Sequence, residues 1–152
     1  MIIIQDQREK HGHHNLIERY CKINNIPIMR KRLEVGDYML GEVIGDKIVP
    51  IGKKSIDSKQ DLCELSNDLY RDKKEFNKKY RKCYEQGIQL YVLVEQEIKS
   101  VNDILSWKSA HSKISGKMLY DMIERVRKSY GVKFLFCKKE DVAQTIINIL
   151  SS

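Results

Sequence analysis

The chain has 152 residues, enough for one domain with a hydrophobic core, and 41% of them are hydrophobic, which excludes a disordered chain. No uninterrupted apolar stretch approaches the ~18–20 residues that span a bilayer. The apolar start Met1-Ile2-Ile3-Ile4 stops at Gln5-Asp6-Gln7-Arg8, too short for a signal peptide and without a basic leader, so a cytoplasmic protein with no membrane partner is expected. A net charge of +7 favours a polyanionic partner, through phosphate contacts and counterion release.

In chain order, residues 2–5 are β-branched and predict a short buried strand. Residues 13–25 place Leu16, Ile17, Tyr20 and Ile23 at helical spacing; Asn24-Asn25 ends that helix and Pro27 blocks its continuation. Residues 28–33 alternate apolar and basic side chains, as a strand does, and a second strand is expected over 35–44. After the turn at Gly45-Asp46 a third strand is expected over 47–56, with Pro50 and Gly52 marking a bulge or an edge. Residues 60–86 turn helical, with Leu62, Leu65 and Leu69 as one apolar stripe and Phe76, Tyr80 and Cys83 as a second, broken near Asp72 and ended by Gly87. Residues 88–94 predict a central strand buried on both faces. Residues 97–115 read as polar and irregular around a lone Trp107, taken as a core anchor. A helix over 116–130, a strand over 132–137 and a helix over 140–150 complete the chain. The order implies a three-strand meander followed by alternating elements: an α/β fold with a mixed central sheet flanked by helices. Cys21, Cys63, Cys83 and Cys137 form no C-x-x-C pair, so reduced, mostly buried thiols are expected rather than a zinc cluster.

Chemistry concentrates in Val35-Gly36-Asp37-Tyr38 and Ser55-Ile56-Asp57-Ser58-Lys59-Gln60. Side chains two apart on a strand share a face, so Asp57 and Lys59 point the same way at a strand end, and Asp37 on the neighbouring strand can lie beside Asp57. Two carboxylates held together suit a hard divalent cation such as Mg2+ or Mn2+, which polarises a phosphodiester and activates water. A nearby lysine stabilises the charge that builds on phosphorus or orients the water. Taken alone, D-x-K arises often by chance at an exposed strand end.

These motifs, in this order, resemble the XPF-type nuclease domain of flap- and fork-cutting repair enzymes, within the PD-(D/E)-x-K superfamily. The family's first strand ends in D-x-R-E, matched by Asp6-Gln7-Arg8-Glu9, and its V-G-D-Y is present as Val35-Gly36-Asp37-Tyr38. Its E-R-K or D-x-K strand end is placed at Asp57-Ser58-Lys59, because Leu62, Glu64 and Leu65 follow as in the family's next helix. Gly87 and Tyr91-Val92-Leu93-Val94-Glu95 supply the strand ending in L-x-E. The match covers about residues 1–96; residues 97–152 resemble the short stand-alone versions carried by bacteriophages. The resemblance implies a single nuclease domain of restriction-endonuclease-like core that cuts DNA with Mg2+ or Mn2+, on branched or junction substrates in recombination, repair or phage replication. It implies that Asp37 and Asp57 hold the metal with Asp6 in support, that Lys59 serves the transition state or the water, and that Arg8 contacts phosphate or braces the carboxylates. Glu9 is either catalytic or structural. The sequence departs from the family where E-R-K is missing as such. In the alternative register, Gly52-Lys53-Lys54, the metal-binding acid is absent and the protein is an inactive DNA-binding or scaffold module. The tandem helix-hairpin-helix module of many members does not occur in this sequence, so substrate preference is not carried over, and a homodimer through the nuclease domain stays open.

Lys74, Lys78, Lys79, Arg81 and Lys82 crowd one helical stretch with Arg71 and Lys73, interleaved with Tyr70, Phe76, Tyr80 and Tyr84. This is either a phosphate-tracking surface or a solvated face paired with Asp72 and Glu75. Lys108, His111, Lys113 and Lys117 form either a DNA-contacting loop or an ordinary surface loop. His11, His13 and His14 read as a polar loop, with metal binding as the alternative.

Overall fold

The computed structural model describes residues 1–8 and 11–152; of residues 11–15 it describes the backbone alone. Strand β1 (Ile2–Asp6) leads through helix α1 (His11–Ile23) to strand β2 (Ile28–Lys31). Strands β3 (Tyr38–Ile44), β4 (Lys47–Pro50) and β5 (Lys54–Lys59) follow. Helix α2 (Leu62–Ser66), a π-helical turn (Asn67–Arg71) and helix α3 (Lys73–Glu85) then precede strand β6 (Gln89–Val94). The chain ends with α4 (Val101–Leu105), α5 (Gly116–Tyr130), β7 (Lys133–Phe136) and α6 (Val142–Ser151).

The strands form one mixed sheet in the order β2-β1-β3-β5-β6-β7, with β4 paired to the far half of β3. Strands β5, β6 and β7 run parallel, as do β1 and β2; β3 runs antiparallel to both β1 and β5. The expected meander is corrected here. β2 does not follow β3 in the sheet but pairs with β1, Ile3 opposite Ile28, because α1 carries the chain back across the sheet as the crossover that parallel pairing requires. The single strand expected over 47–56 is two strands, parted at 51–53. The interval 97–115 is not wholly irregular: Asp103 accepts hydrogen bonds from the Lys99 and Ser100 amides (2.7 and 3.3 Å) and starts α4, a helix too short to show periodicity in the sequence.

Two apolar layers sandwich the sheet. Leu90, Val92 and Val94 of β6 face Leu62, Leu65 and Leu69, Tyr80 and Cys83 of α3, and Leu119, Ile123 and Val126 of α5. On the other face Ile3, Tyr38, Ile56 and Leu93 meet Ile17 and Cys21 of α1 and Ile146 and Leu150 of α6. Each fully buried leucine in these layers contributes about 1.5–3 kcal/mol. Trp107 packs, partly buried, against the first layer, as the sequence implied. The four cysteines are free, Cys21 and Cys83 buried and the other two partly so. No described helix is long and apolar enough to cross a membrane.

Gly36 decides how closely the loop before β3 approaches β5. Its φ is +74°, and a Cβ there would meet the Ser55 Oγ at 2.0 Å and the Ile56 carbonyl oxygen at 3.0 Å. Gly87 has a similar φ, +68°, but open space around it. Both Gly36→Ala and Gly87→Ala bear the left-handed backbone cost of ~1–2 kcal/mol, and only the first also collides with β5. Urea unfolding is therefore expected to show G36A as the less stable variant by at least about 1 kcal/mol; equal losses would mean that the Ser55 contact imposes no constraint.

Candidate active site

The C-terminal ends of β1, β5 and β6 and the N-terminal end of β3 lie at one rim of the sheet, as their mutual directions require. Backbone bonds tie them: the Asp6 amide donates to the Asp37 carbonyl (2.7 Å), the Asp37 amide to Ile56 (2.7 Å), and the Glu95 amide to Lys59 (2.8 Å). Tyr38 and Ile56, paired across β3 and β5, face the α1–α6 layer, so alternation turns Asp37 and Asp57 to the opposite face.

There the two carboxyls meet. Asp57 is 2% exposed and Asp37 6%, and Asp37 lies near enough to act on the Asp57 carboxyl. Asp37 Oδ2 accepts from the Ser58 amide at 2.7 Å, which fixes its rotamer against β5. Lys59 Nζ lies 3.4 Å from Asp57 Oδ1, and Lys79 Nζ of α3 lies 3.1 Å from Oδ2. Burial works to raise the Asp57 pKa, but the Lys79 and Lys59 ammoniums, with hydrogen bonds from Lys79 and Asp37, outweigh it and hold the carboxyl below the ordinary aspartate range.

Lys59 is nearly buried and is gripped from behind by Asp68, at 2.5 Å. Burial opposes its charge, yet Asp57, Asp68 and Asp37 together push its pKa above the ordinary lysine value. An ammonium so stabilised stays charged and donates hydrogen bonds. Asp68 carries its own strain: burial raises its carboxyl to about 6, against the pull of Lys59 and with help from Asp57 and Glu64. It is delivered by the π-helical turn, where the Asp72 amide reaches the Asn67 carbonyl at 3.0 Å, five residues back. The Phe76 ring lies under both ammoniums, 4.7 Å from Lys59 Nζ and 4.8 Å from Lys79 Nζ.

The residues named from the sequence sort as follows. Asp37, Asp57 and Lys59 are brought together. Lys54, of the alternative register, points to the other end of the sheet, where its ammonium bonds the Ile149 and Ser152 carbonyls at 3.1 and 2.6 Å. Asp6 shares the site's sheet face, but its described hydrogen bonds come from the Leu33 amide and the Arg8 Nε, both 2.9 Å, so that it secures the β2–β3 connection. Arg8 also donates to the Leu33 carbonyl (2.6 Å) and leaves 55% of its side chain exposed. Glu9 and the side chains of His11, His13 and His14 lie outside the described residues. Lys74, Lys78, Arg81 and Lys82 form the exposed face of α3, with Lys82 3.3 Å from Glu34. Lys79, grouped with them in the sequence, turns inward to Asp57. Of the interleaved aromatics Tyr84 is exposed, whereas Tyr80 is buried and Tyr70 and Phe76 are partly so. Lys108 and Lys113 are exposed, and Lys117 pairs with Asp121 at 2.9 Å.

Asp68 and the inward role of Lys79 were missed by sequence reasoning. The signal was present: Asp68 stands three residues after Leu65 and Lys79 three after Phe76, each on an apolar stripe where a charge needs a buried partner. The donor set fits a hard cation. Two buried carboxyl groups converge with cationic neighbours, and the buried Tyr80 hydroxyl close to Asp57 has no hydrogen-bond partner among the described residues, leaving a donor for water. No group of three or more Asp, Glu, His or Cys residues that could hold a metal ion occurs among the described residues.

This is the XPF-type nuclease fold. XPF from Aeropyrum pernix superposes with a TM-score of 0.70 at 12% identity, covering 99% of this chain and 63% of its own. The same protein in complex with DNA superposes with a TM-score of 0.67 at 12% identity, covering 98% of this chain and 62% of its own. The chain thus spans less than two thirds of the length of these neighbours. No family model matches the chain, and no curated protein matches it in sequence.

The raised Asp68 carboxyl has a thermodynamic consequence. With a folded pKa of about 6 above the ordinary 3.8, the native chain keeps a proton that the unfolded chain releases. That stabilisation is complete below pH 3.8 and is lost as pH climbs through 6. An asparagine in place of Asp68 cannot titrate, so the stability of D68N relative to wild type should improve between about pH 4 and pH 7 in urea unfolding series; a constant difference across that window would contradict the raised pKa.

Proposed function

We propose that this chain is a divalent-metal-dependent endodeoxyribonuclease that hydrolyses phosphodiester bonds, with branched or junction DNA as its preferred substrate. The observation that carries the reading is the buried contact of Asp37 with Asp57, with the Lys59 ammonium 3.4 Å from the latter. Asp37 and Asp57 would hold Mg2+ or Mn2+, which supplies Lewis acidity toward the phosphodiester when bound. Lys59, kept protonated by Asp57 and Asp68, stabilises the negative charge that develops on the phosphoryl oxygens. The exposed part of Arg8 and the outer face of α3, with Lys74, Lys78 and Arg81, offer phosphate contacts beside the site. Fold likeness to an XPF solved with DNA supports the same substrate class, and a place in recombination, repair or phage replication belongs to the proposal.

Cleavage of plasmid and of four-way junctions in Mg2+ or Mn2+ tests the reading. Wild type should cut, EDTA should stop it, D57A and D37A should remove activity, and K59A should reduce it by roughly 10²–10³-fold. Binding of junctions without cleavage in either metal would replace the enzyme by a DNA-binding scaffold. For the α3 face, K74A/K78A/R81A should weaken DNA binding and flatten its dependence on salt by about one phosphate per lost contact; an unchanged slope would place the DNA elsewhere.

A further inference from the structure

Asp57 stands between two ammoniums that are held in different ways. Lys59 has a second carboxylate behind it, Asp68 at 2.5 Å, and its side chain is 7% exposed. Lys79 reaches Asp57 Oδ2 from α3, and its side chain is 26% exposed. Asp57 is its ion-pair partner among the described residues, and the Phe76 ring supports it from below. Lys59 is therefore locked between two carboxylates, while Lys79, the more exposed of the two ammoniums, is held by Asp57 and the Phe76 ring and is the one with a path to solvent.

Charge balance gives a reason for it to leave. Three carboxyls, Asp37, Asp57 and Asp68, face two ammoniums in this pocket. A divalent cation added between Asp37 and Asp57 would leave an excess of positive charge in a buried space, which departure of one ammonium relieves. We infer that Lys79 is the resident counter-ion of the cation site: it occupies Asp57 Oδ2 when no divalent ion is bound, and gives up that oxygen when one arrives. This rests on the reading that Asp37 and Asp57 hold a divalent ion. The displaced ammonium stays within a side-chain length of the site, near the exposed Lys82 three residues on along α3, where a DNA phosphate would meet it. Lys79 thus screens two buried carboxyls in the metal-free protein and becomes a phosphate contact in the loaded one. The arrangement also lowers the apparent affinity for the ion, because the ion binds only the fraction of molecules in which Oδ2 is free.

Two measurements on the whole protein without DNA test this. Calorimetric titration with Mn2+ should show K79Q binding about tenfold more tightly than wild type, as expected if Lys79 holds Oδ2 some nine-tenths of the time, with K79R no tighter than wild type. Removal of a positive charge alone would also favour Mn2+, so amine acetylation of the wild type, read residue by residue by mass spectrometry, decides the displacement. Lys79 should acetylate several-fold faster with saturating Mn2+ than without, while Lys74 and Lys78 on the same helix keep their rates. An unchanged or slower Lys79 rate overturns the inference even if K79Q binds more tightly, and it needs no variant to fold. Failure of Mn2+ to bind either wild type or K79Q overturns the metal reading of Asp37 and Asp57 and this inference with it; binding of wild type with an unresponsive Lys79 overturns the inference alone.

Discussion

Two carboxyl groups pressed together away from water repel unless protons or cations stand beside them. The contact of Asp37 with Asp57 sets that requirement, and the surrounding architecture supplies what meets it. Lys59 comes from the same strand two residues on, Lys79 from the helix packed over the sheet, and Asp68 holds Lys59 against the pair. A pocket so organised is costly to build for stability alone, since buried ion pairs gain little over well-packed apolar side chains. Under the proposed function, the same pocket would receive a doubly charged ion and an anionic ester.

Backbone geometry makes the contact obligatory. β3 and β5 pair where Tyr38 opposes Ile56, and the left-handed Gly36 brings the preceding loop onto Ser55, whose hydroxyl donates to the Val35 carbonyl at 2.9 Å. Asp37 then has its amide bonded to Ile56 and its carboxylate to the Ser58 amide, so its side chain has little freedom beside Asp57. Asp6 and Arg8 hold the Leu33 segment that feeds this loop. The acid at the end of β1 thereby supports the position of the acid before β3 through backbone and loop.

Helix α3 divides its charges between two tasks. Its inner face packs Phe76, Tyr80 and Cys83 against the sheet and sends Lys79 to Asp57; its outer face shows Lys74, Lys78 and Arg81 to solvent. The inner lysine acts at short range in a low dielectric, where one charge shifts its neighbours strongly. The outer cations act at long range and are screened by salt, the behaviour expected of groups that gather a polyanion.

Periodicity and punctuation alone determined most element positions, because strands and helices differ in repeat and because Asn25, Pro27, Gly45 and Gly87 interrupt the chain locally. Spacing also placed Asp57 and Lys59 on one face and nominated Asp37 as their neighbour, and the family motifs singled out the same three. Strand order was not legible, since a pairing of β2 with β1 across a whole helix leaves no mark in either strand's pattern. Nor was the division of labour among seven like charges of one helical stretch, Arg71 to Lys82: a lysine facing solvent and one facing Asp57 are the same letter in sequence. Only packing decides which ammonium loses its water, and a group's charge acts according to what replaces that water.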